Sequence, residues 1–135
     1  SEKLGLYNEV SRQKRFFREC ENHRILLKQL LNTLKKQKKN IIGYGASTKG
    51  NVILQYCGID EKLIGKIAEV NKYKFGRYTP GTNIKIVAEK DAMKNNPDYL
   101  LVLPWHFKDH IIKRENEFLK KGGKLIFPLP DIEII

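Results

Sequence analysis

Gly43, Tyr44, Gly45, Ser47, Thr48, Lys49 and Asn51 are the residues whose types and spacing carry the most chemistry in this chain. They belong to the run Ile41-Ile42-Gly43-Tyr44-Gly45-Ala46-Ser47-Thr48-Lys49-Gly50-Asn51, in which β-branched residues lead into a Gly-x-Gly turn and then into small and hydroxylated residues. A strand that turns sharply into a helix aims several backbone N–H groups at one point. Their partial charge, added to the helix dipole, seats a phosphate or another anion. Gly43 and Gly45 permit the tight turn and a close approach of the backbone. Ser47 and Thr48 offer hydroxyl donors, and Lys49 offers a full charge. The same Gly-x-Gly pattern also serves as ordinary strand-to-helix turn chemistry, so both readings stand at this point.

Other candidates follow along the chain. Glu69 lies about 25 residues after the glycines, where a dinucleotide site places an acid for ribose hydroxyls. It reads equally as a surface acid near Lys72 and Lys74. In the stretch from Lys72 to Thr82, Lys74, Arg77 and Tyr78 belong to an alternation of cations and aromatics punctuated by Gly76 and Gly81. Such a loop can stack on a base and pair with phosphates, or simply be solvated. Trp105 and His106 follow an apolar strand at a place where a core needs neither. His106 suits a sugar hydroxyl or a phosphate but has no evident catalytic partner. No catalytic residue is assigned, because Cys57 falls inside a helix and no motif surrounds Ser11 or Ser47. Cys20 and Cys57 lack Cys-x-x-Cys spacing, so no metal site and no disulfide scaffold is expected.

The elements that must position these residues are legible in the periodicity. Residues 7–39 contain no Gly or Pro. Phe16, Cys20, His23, Leu27, Leu30, Leu31 and Leu34 mark one face of a long helix, whose half before Leu26 is charged and poor in apolar surface. Strands are expected at 40–44, 66–71, 99–103 and 124–127. Helices are expected at 48–57, 88–94 and 108–121, with an irregular segment at 72–83. This alternation predicts an α/β, Rossmann-like three-layer domain with a mostly parallel sheet, in residues 40–135, preceded by a connecting helix in residues 1–39. Ligands of such sheets bind outside the carboxyl ends of the strands, so the four loops after those strands are expected to cluster on one edge.

The chain has 135 residues, a length that suits one domain with its own core. With 41% hydrophobic and 30% charged residues it reads as a soluble globular chain and not as a disordered one. No apolar run approaches the roughly 20 residues that span a bilayer, and the first residues lack a signal pattern, so no membrane association is expected. The net charge of +11 invites a nucleic-acid reading. Its distribution argues otherwise: residues 1–40 alone hold 11 Lys and Arg against 4 Asp and Glu. That excess suits a solvated helix, and no stacking platform or zinc-finger spacing accompanies it. Reduced thiols in a cytoplasm are expected.

Four ordered motifs resemble a known family. They are residues 43–51, the run Lys74-Phe75-Gly76-Arg77-Tyr78-Thr79-Pro80-Gly81-Thr82, the run Leu100-Leu101-Val102-Leu103-Pro104-Trp105-His106-Phe107, and Gly122-Gly123-Lys124 followed by Phe127-Pro128-Leu129-Pro130. Together, over about residues 40–135, they resemble the C-terminal domain of the SAM-dependent sugar C-methyltransferases, which act on nucleotide-activated deoxysugars. The resemblance implies a longer enzyme with a zinc-binding domain and a central SAM domain, and the N-terminal helix is similar to the segment leading from that central domain. It implies that this chain binds no cofactor itself, that SAM and zinc belong to the full-length protein, and that a nucleotide-diphosphate sugar lies between the central domain and this one. Gly43, Gly45, Ser47, Lys49 and Asn51 would then contact the diphosphate, with Lys74, Arg77 and Tyr78 around nucleotide or sugar. Lys72 stands where the family usually has a proline. An autonomous dinucleotide- or CoA-binding Rossmann domain is the alternative.

Overall fold

The computed structural model describes residues 2–135. A 35-residue helix, α1 (Glu2–Lys36), opens the chain. Strand β1 (Ile41–Tyr44), helix α2 (Thr48–Cys57) and strand β2 (Lys66–Glu69) follow. After a 3₁₀ turn (Lys72–Lys74) come β3 (Lys85–Ala88), α3 (Glu89–Met93) and β4 (Tyr99–Val102). A second 3₁₀ turn (Trp105–Phe107) leads into α4 (Lys108–Arg114), α5 (Asn116–Lys120), β5 (Lys124–Phe127) and β6 (Glu133–Ile134). The sheet order is β3-β2-β1-β4-β5-β6, parallel except for β6, which runs antiparallel to β5. The direction of winding reverses between β1 and β4, as in doubly wound nucleotide-binding sheets.

Alternation of side chains sorts the core onto two faces. Ile41, Ile67, Leu101 and Ile126 point to one face, where Leu27, Leu31 and Leu34 of α1 and Ile53, Leu54 and Cys57 of α2 cover them. Ile42, Tyr44, Leu100, Val102 and Phe127 point to the other, beneath Ala92 of α3 and Ile111 of α4. Leu27 and Leu31 are completely buried, whereas Phe16 and Phe17 are 62% and 68% exposed. The lower half of α1 is therefore part of the core. The packing reaches somewhat above Leu26, because Cys20 and His23 are half-buried and His23 Nε2–H donates to the Pro128 carbonyl. Pro128 follows β5, so His23 marks the level of the carboxyl edge of the sheet. At 1.5 Å per residue the part of α1 before it is about 30 Å long, and Phe16, Glu19 and Cys20 at its lower end still border a cleft with Val52, Tyr56 and Leu129.

The structure corrects the expected elements in three places. Residues 85–88 form a strand, β3, that the periodicity missed: only Ile86 is fully buried among its four residues, so the apolar signal is weak. Its outer edge is covered by the preceding segment, with Gly76 N–H donating to the Ile86 carbonyl and Ile86 N–H to the Arg77 carbonyl, each at 2.8 Å. The 15 residues between β2 and β3 supply the crossover that a parallel pair needs without using an α-helix. The two-residue β6 was also missed, being too short for any periodicity. Residues 108–121, expected as one helix, divide into α4 and α5 at Glu115, whose backbone (φ −97°, ψ 24°) leaves the helical range. By contrast α2 begins and ends as expected, with Ser47 capping it and Gly58 in the left-handed conformation at φ 65° closing it.

Candidate functional site

The loop from β1 into α2 is set by glycines and by clamps from its neighbours. Gly45 turns the chain at φ +78°, and a Cβ there would lie 2.9 Å from Pro104 Cδ. A Cβ on Gly50 would lie 2.6 Å from Leu103 Cβ, so the glycine lets the first turn of α2 press onto the end of β4. Gly43 is buried inside β1, with Ile67 filling the space beside it. The spacing is thus Gly-x-Gly followed by a packing glycine five residues on, with Thr48 where the dinucleotide fingerprint has its third glycine.

Not every amide of this loop is available to a ligand. Gly45 N–H donates to the Ala68 carbonyl at 2.8 Å, and Ala46 N–H to Glu69 Oε2 at 2.7 Å. The other Glu69 oxygen accepts from the amides of Val70 and Asn71, both at 3.2 Å. Lys74 Nζ donates to the Ala46 carbonyl at 2.9 Å. Glu69 and Lys74 therefore grip the two backbone polar groups of Ala46 and tie the β1–α2 loop to the loop after β2. Beyond this clamp, Gly50 N–H is taken by Ser47 Oγ at 3.0 Å. The amides of Ser47, Thr48 and Lys49 have no hydrogen-bond partner among the described residues. Thr48 and Lys49 are exposed, so three free N–H groups, a hydroxyl and an ammonium surround the first turn of a ten-residue helix. That arrangement is chemically suited to an anion.

The remaining sequence candidates divide by position. Asn51 is half-buried one turn into α2, and its buried Oδ1 has no partner among the described residues. Trp105, just past β4, packs against both core clusters with its Nε1 likewise buried and unpartnered. His106 is exposed, edge-on to Trp105 at 5.6 Å and close to Phe107 at 4.2 Å between ring centroids. Trp105 and His106 stand beside the β1–α2 loop at the reversal point of the sheet. Arg77 and Tyr78 depart from the expected clustering. They run back along β3, where Tyr78 bridges Lys85 at the amino end of that strand. Only residues 69–75 of that segment stay at the carboxyl edge.

The candidate Tyr44 turns away from the free amides into a second group, on the α3–α4 side of the same edge, whose other members, Arg114, Glu89 and Glu115, sequence reasoning missed. Tyr44 is buried and its hydroxyl accepts from Arg114 Nη1, while Arg114 Nη2 donates to Glu89 Oε2 at 2.8 Å. Glu115 is buried beside them. Burial, then the neighbouring Glu89 carboxylate, pushes the Glu115 carboxyl above its ordinary value, against the pull of the Tyr44 hydroxyl and Arg114. Burial first, then Glu115, holds the Tyr44 phenol far above the usual range. The only sequence signal for this group is a Glu directly after a strand whose own apolar signal is weak. A raised carboxyl pKa in the folded state means that ionising Glu115 costs stability. Relative to a Glu115→Gln variant, the native chain is therefore expected to gain stability as pH falls from the raised value through the ordinary 4.5. Thermal melts of both proteins between pH 4 and pH 8 check it; a difference that does not change with pH contradicts it.

An open cavity of about 740 Å³ adjoins this group, bounded by Glu69, Val70, Phe75, Glu89, Met93 and Arg114. Among the described residues no three His, Cys, Asp or Glu side chains converge on a metal position, so the side chains here do not fit the zinc that the resemblance implies for the full protein. No helix is long and apolar enough to cross a membrane among those residues.

Comparison with known proteins agrees with this geometry. Residues 1–130, α1 included, match the family described as the C-methyltransferase C-terminal domain. The C-methyltransferase NovU of Streptomyces niveus is 34% identical over 122 residues, covering 90% of this chain and 29% of NovU. The chain thus spans less than a third of the length of that curated relative. A parallel sheet wound about β1 and β4, a glycine-turned loop at its carboxyl edge and a family match over nearly the whole chain lead to one conclusion: this chain belongs to the C-methyltransferase C-terminal domain family.

Proposed function

We propose that this chain is the nucleotide-sugar-binding part of a cytoplasmic, SAM-dependent sugar C-methyltransferase of deoxysugar biosynthesis, and that it transfers no methyl group alone. The observation that carries the reading is the set of unpartnered Ser47, Thr48 and Lys49 amides at the carboxyl edge of the sheet, with the exposed Lys49 side chain on the same turn. A diphosphate seated there accepts from the three amides and from Lys49, while Glu69 and Lys74 hold the loop in place through Ala46. Trp105 and His106 stand at the reversal point, where an activated sugar would be presented to the rest of the enzyme. SAM, bound on another domain of the full protein, supplies the methyl group; this chain binds and orients the acceptor. Free Cys20 and Cys57 suit a reducing compartment.

The dinucleotide-binding alternative has less support. Both oxygens of Glu69 accept from backbone amides, so the acid that would bind a ribose is already engaged. Titration calorimetry separates the two readings. Saturable binding of a nucleoside-diphosphate sugar, with none of NAD, CoA or SAM, is expected. Tighter binding of NAD or CoA than of any sugar nucleotide would reverse the assignment.

A further inference from the structure

Resting on the reading just given, the cavity beside Glu69 adds an orientation to it. Glu69 bonds the Ala46 amide of the β1–α2 loop and also lines the cavity, so the cavity opens one side chain away from the free amides. Its floor is the carboxyl end of β2 and β3, marked by Glu69 and Ala88. Val70 and Phe75 offer it exposed apolar surface, and its volume of about 740 Å³ lies within the range of small-molecule sites.

The charges of the wall are matched unevenly. Glu69 is engaged by amides and Glu89 by Arg114, whereas Lys72 and Lys90 at the rim have no ion-pair partner among the described residues. The uncompensated charge is thus positive. Arg114 is held from behind by Tyr44 and from the side by Glu89, which uses two of the five N–H donors of its planar fork. A fixed guanidinium next to an aromatic ring and a pair of cations suits a flat, hydrogen-bonding group attached to an anion.

We propose that this cavity takes the nucleoside end of the ligand. The nucleotide sugar then lies across the sheet edge with its base over β2 and β3, its diphosphate on the first turn of α2, and its sugar beyond the reversal point at Trp105 and His106, toward the projecting half of α1. The reverse orientation would put the base at Trp105 and leave the sugar in the β2–β3 cavity.

Substitutions at exposed positions distinguish the two without disturbing the core. Val70 is 61% exposed, so Val70→Trp narrows the cavity mouth, and His106→Ala removes an exposed imidazole. Each variant is titrated by calorimetry with inorganic pyrophosphate, with uridine, thymidine, guanosine and adenosine diphosphates, and with the sugar derivative of whichever diphosphate binds the native chain. Val70→Trp is expected to weaken the nucleoside diphosphate about tenfold or more and to leave pyrophosphate within about twofold. His106→Ala is expected to spare both and to remove affinity that the sugar adds. Unchanged diphosphate affinity in Val70→Trp, equal loss of pyrophosphate, or an exchange of the two variants' effects overturns the orientation while leaving the functional reading intact. Failure of the native chain to bind any diphosphate or pyrophosphate defeats that reading itself, and the orientation with it.

Discussion

Leu31→Ala is expected to lower folding stability by about 2–5 kcal/mol, whereas removal of residues 1–15 should change it little. Leu31 has no exposed surface and sits among Leu27, Leu34, Ile53 and Leu54, where α1 closes one face of the sheet. Removing its isobutyl group forfeits the transfer free energy and leaves a cavity that surrounding strands and helices fill only in part. Upstream of Cys20 the helix is different. Phe16 and Phe17 are largely exposed, and no described residue before Leu27 belongs to the buried core, so deleting residues 1–15 is expected to remove no core contact. Chemical denaturation of the two proteins measures the difference. Equal losses would mean that the upper helix packs on this domain after all. A negligible loss in Leu31→Ala would mean that the lower helix is not part of the core.

Lys49→Ala is expected to weaken nucleoside-diphosphate binding about tenfold or more, with nearly unchanged thermal stability. Lys49 is exposed, makes no ion pair among the described residues, and stands beside two other free amides at the start of α2. A charge-assisted bond to a phosphate oxygen contributes about 1.5–3 kcal/mol, and the positive pole of the helix adds to it. Because the ammonium has nothing to hold in the free protein, its loss should appear in affinity and not in folding. Rescue by Lys49→Arg would support the charge as cause. A variant that melts early while binding normally would make Lys49 a structural residue.

Why some of this was legible in the sequence and some was not follows from particular residues. The α2 signal was strong because its start and stop both have one physical solution: Ser47 capping through its hydroxyl, and Gly58 taking a left-handed conformation. The apolar β1, β4 and β5 read clearly because both of their faces are covered. Strand β3 did not, because Lys85 is exposed and Val87 and Ala88 are only partly buried, which leaves Ile86 as its one buried residue. That omission had a cost at the site. Without β3, the residues after it could not be placed on the carboxyl edge, and Glu89, with its partner Arg114, went unnoticed. Glu69 was found by its spacing, yet spacing does not reveal what a carboxylate touches. It turns out to bond the backbone of the glycine loop. Arg77 and Tyr78 looked equivalent to Lys74 in sequence, but the antiparallel bridge at Lys85 carries them along the sheet's edge toward its opposite end. Local pattern identified the elements; which groups face one another was decided by long-range pairing.

The central claim is that the carboxyl edge of this sheet seats the diphosphate of an activated sugar. Amide-resolved NMR of the isotope-labelled chain, titrated with a nucleoside-diphosphate sugar, tests it most directly. The expected result is saturable shifts at Ser47, Thr48 and Lys49, with smaller ones at Ala46 and Glu69, through which the loop is clamped. Saturation with no shift at those amides, or with shifts confined to residues far from the β1–α2 loop, would contradict the account.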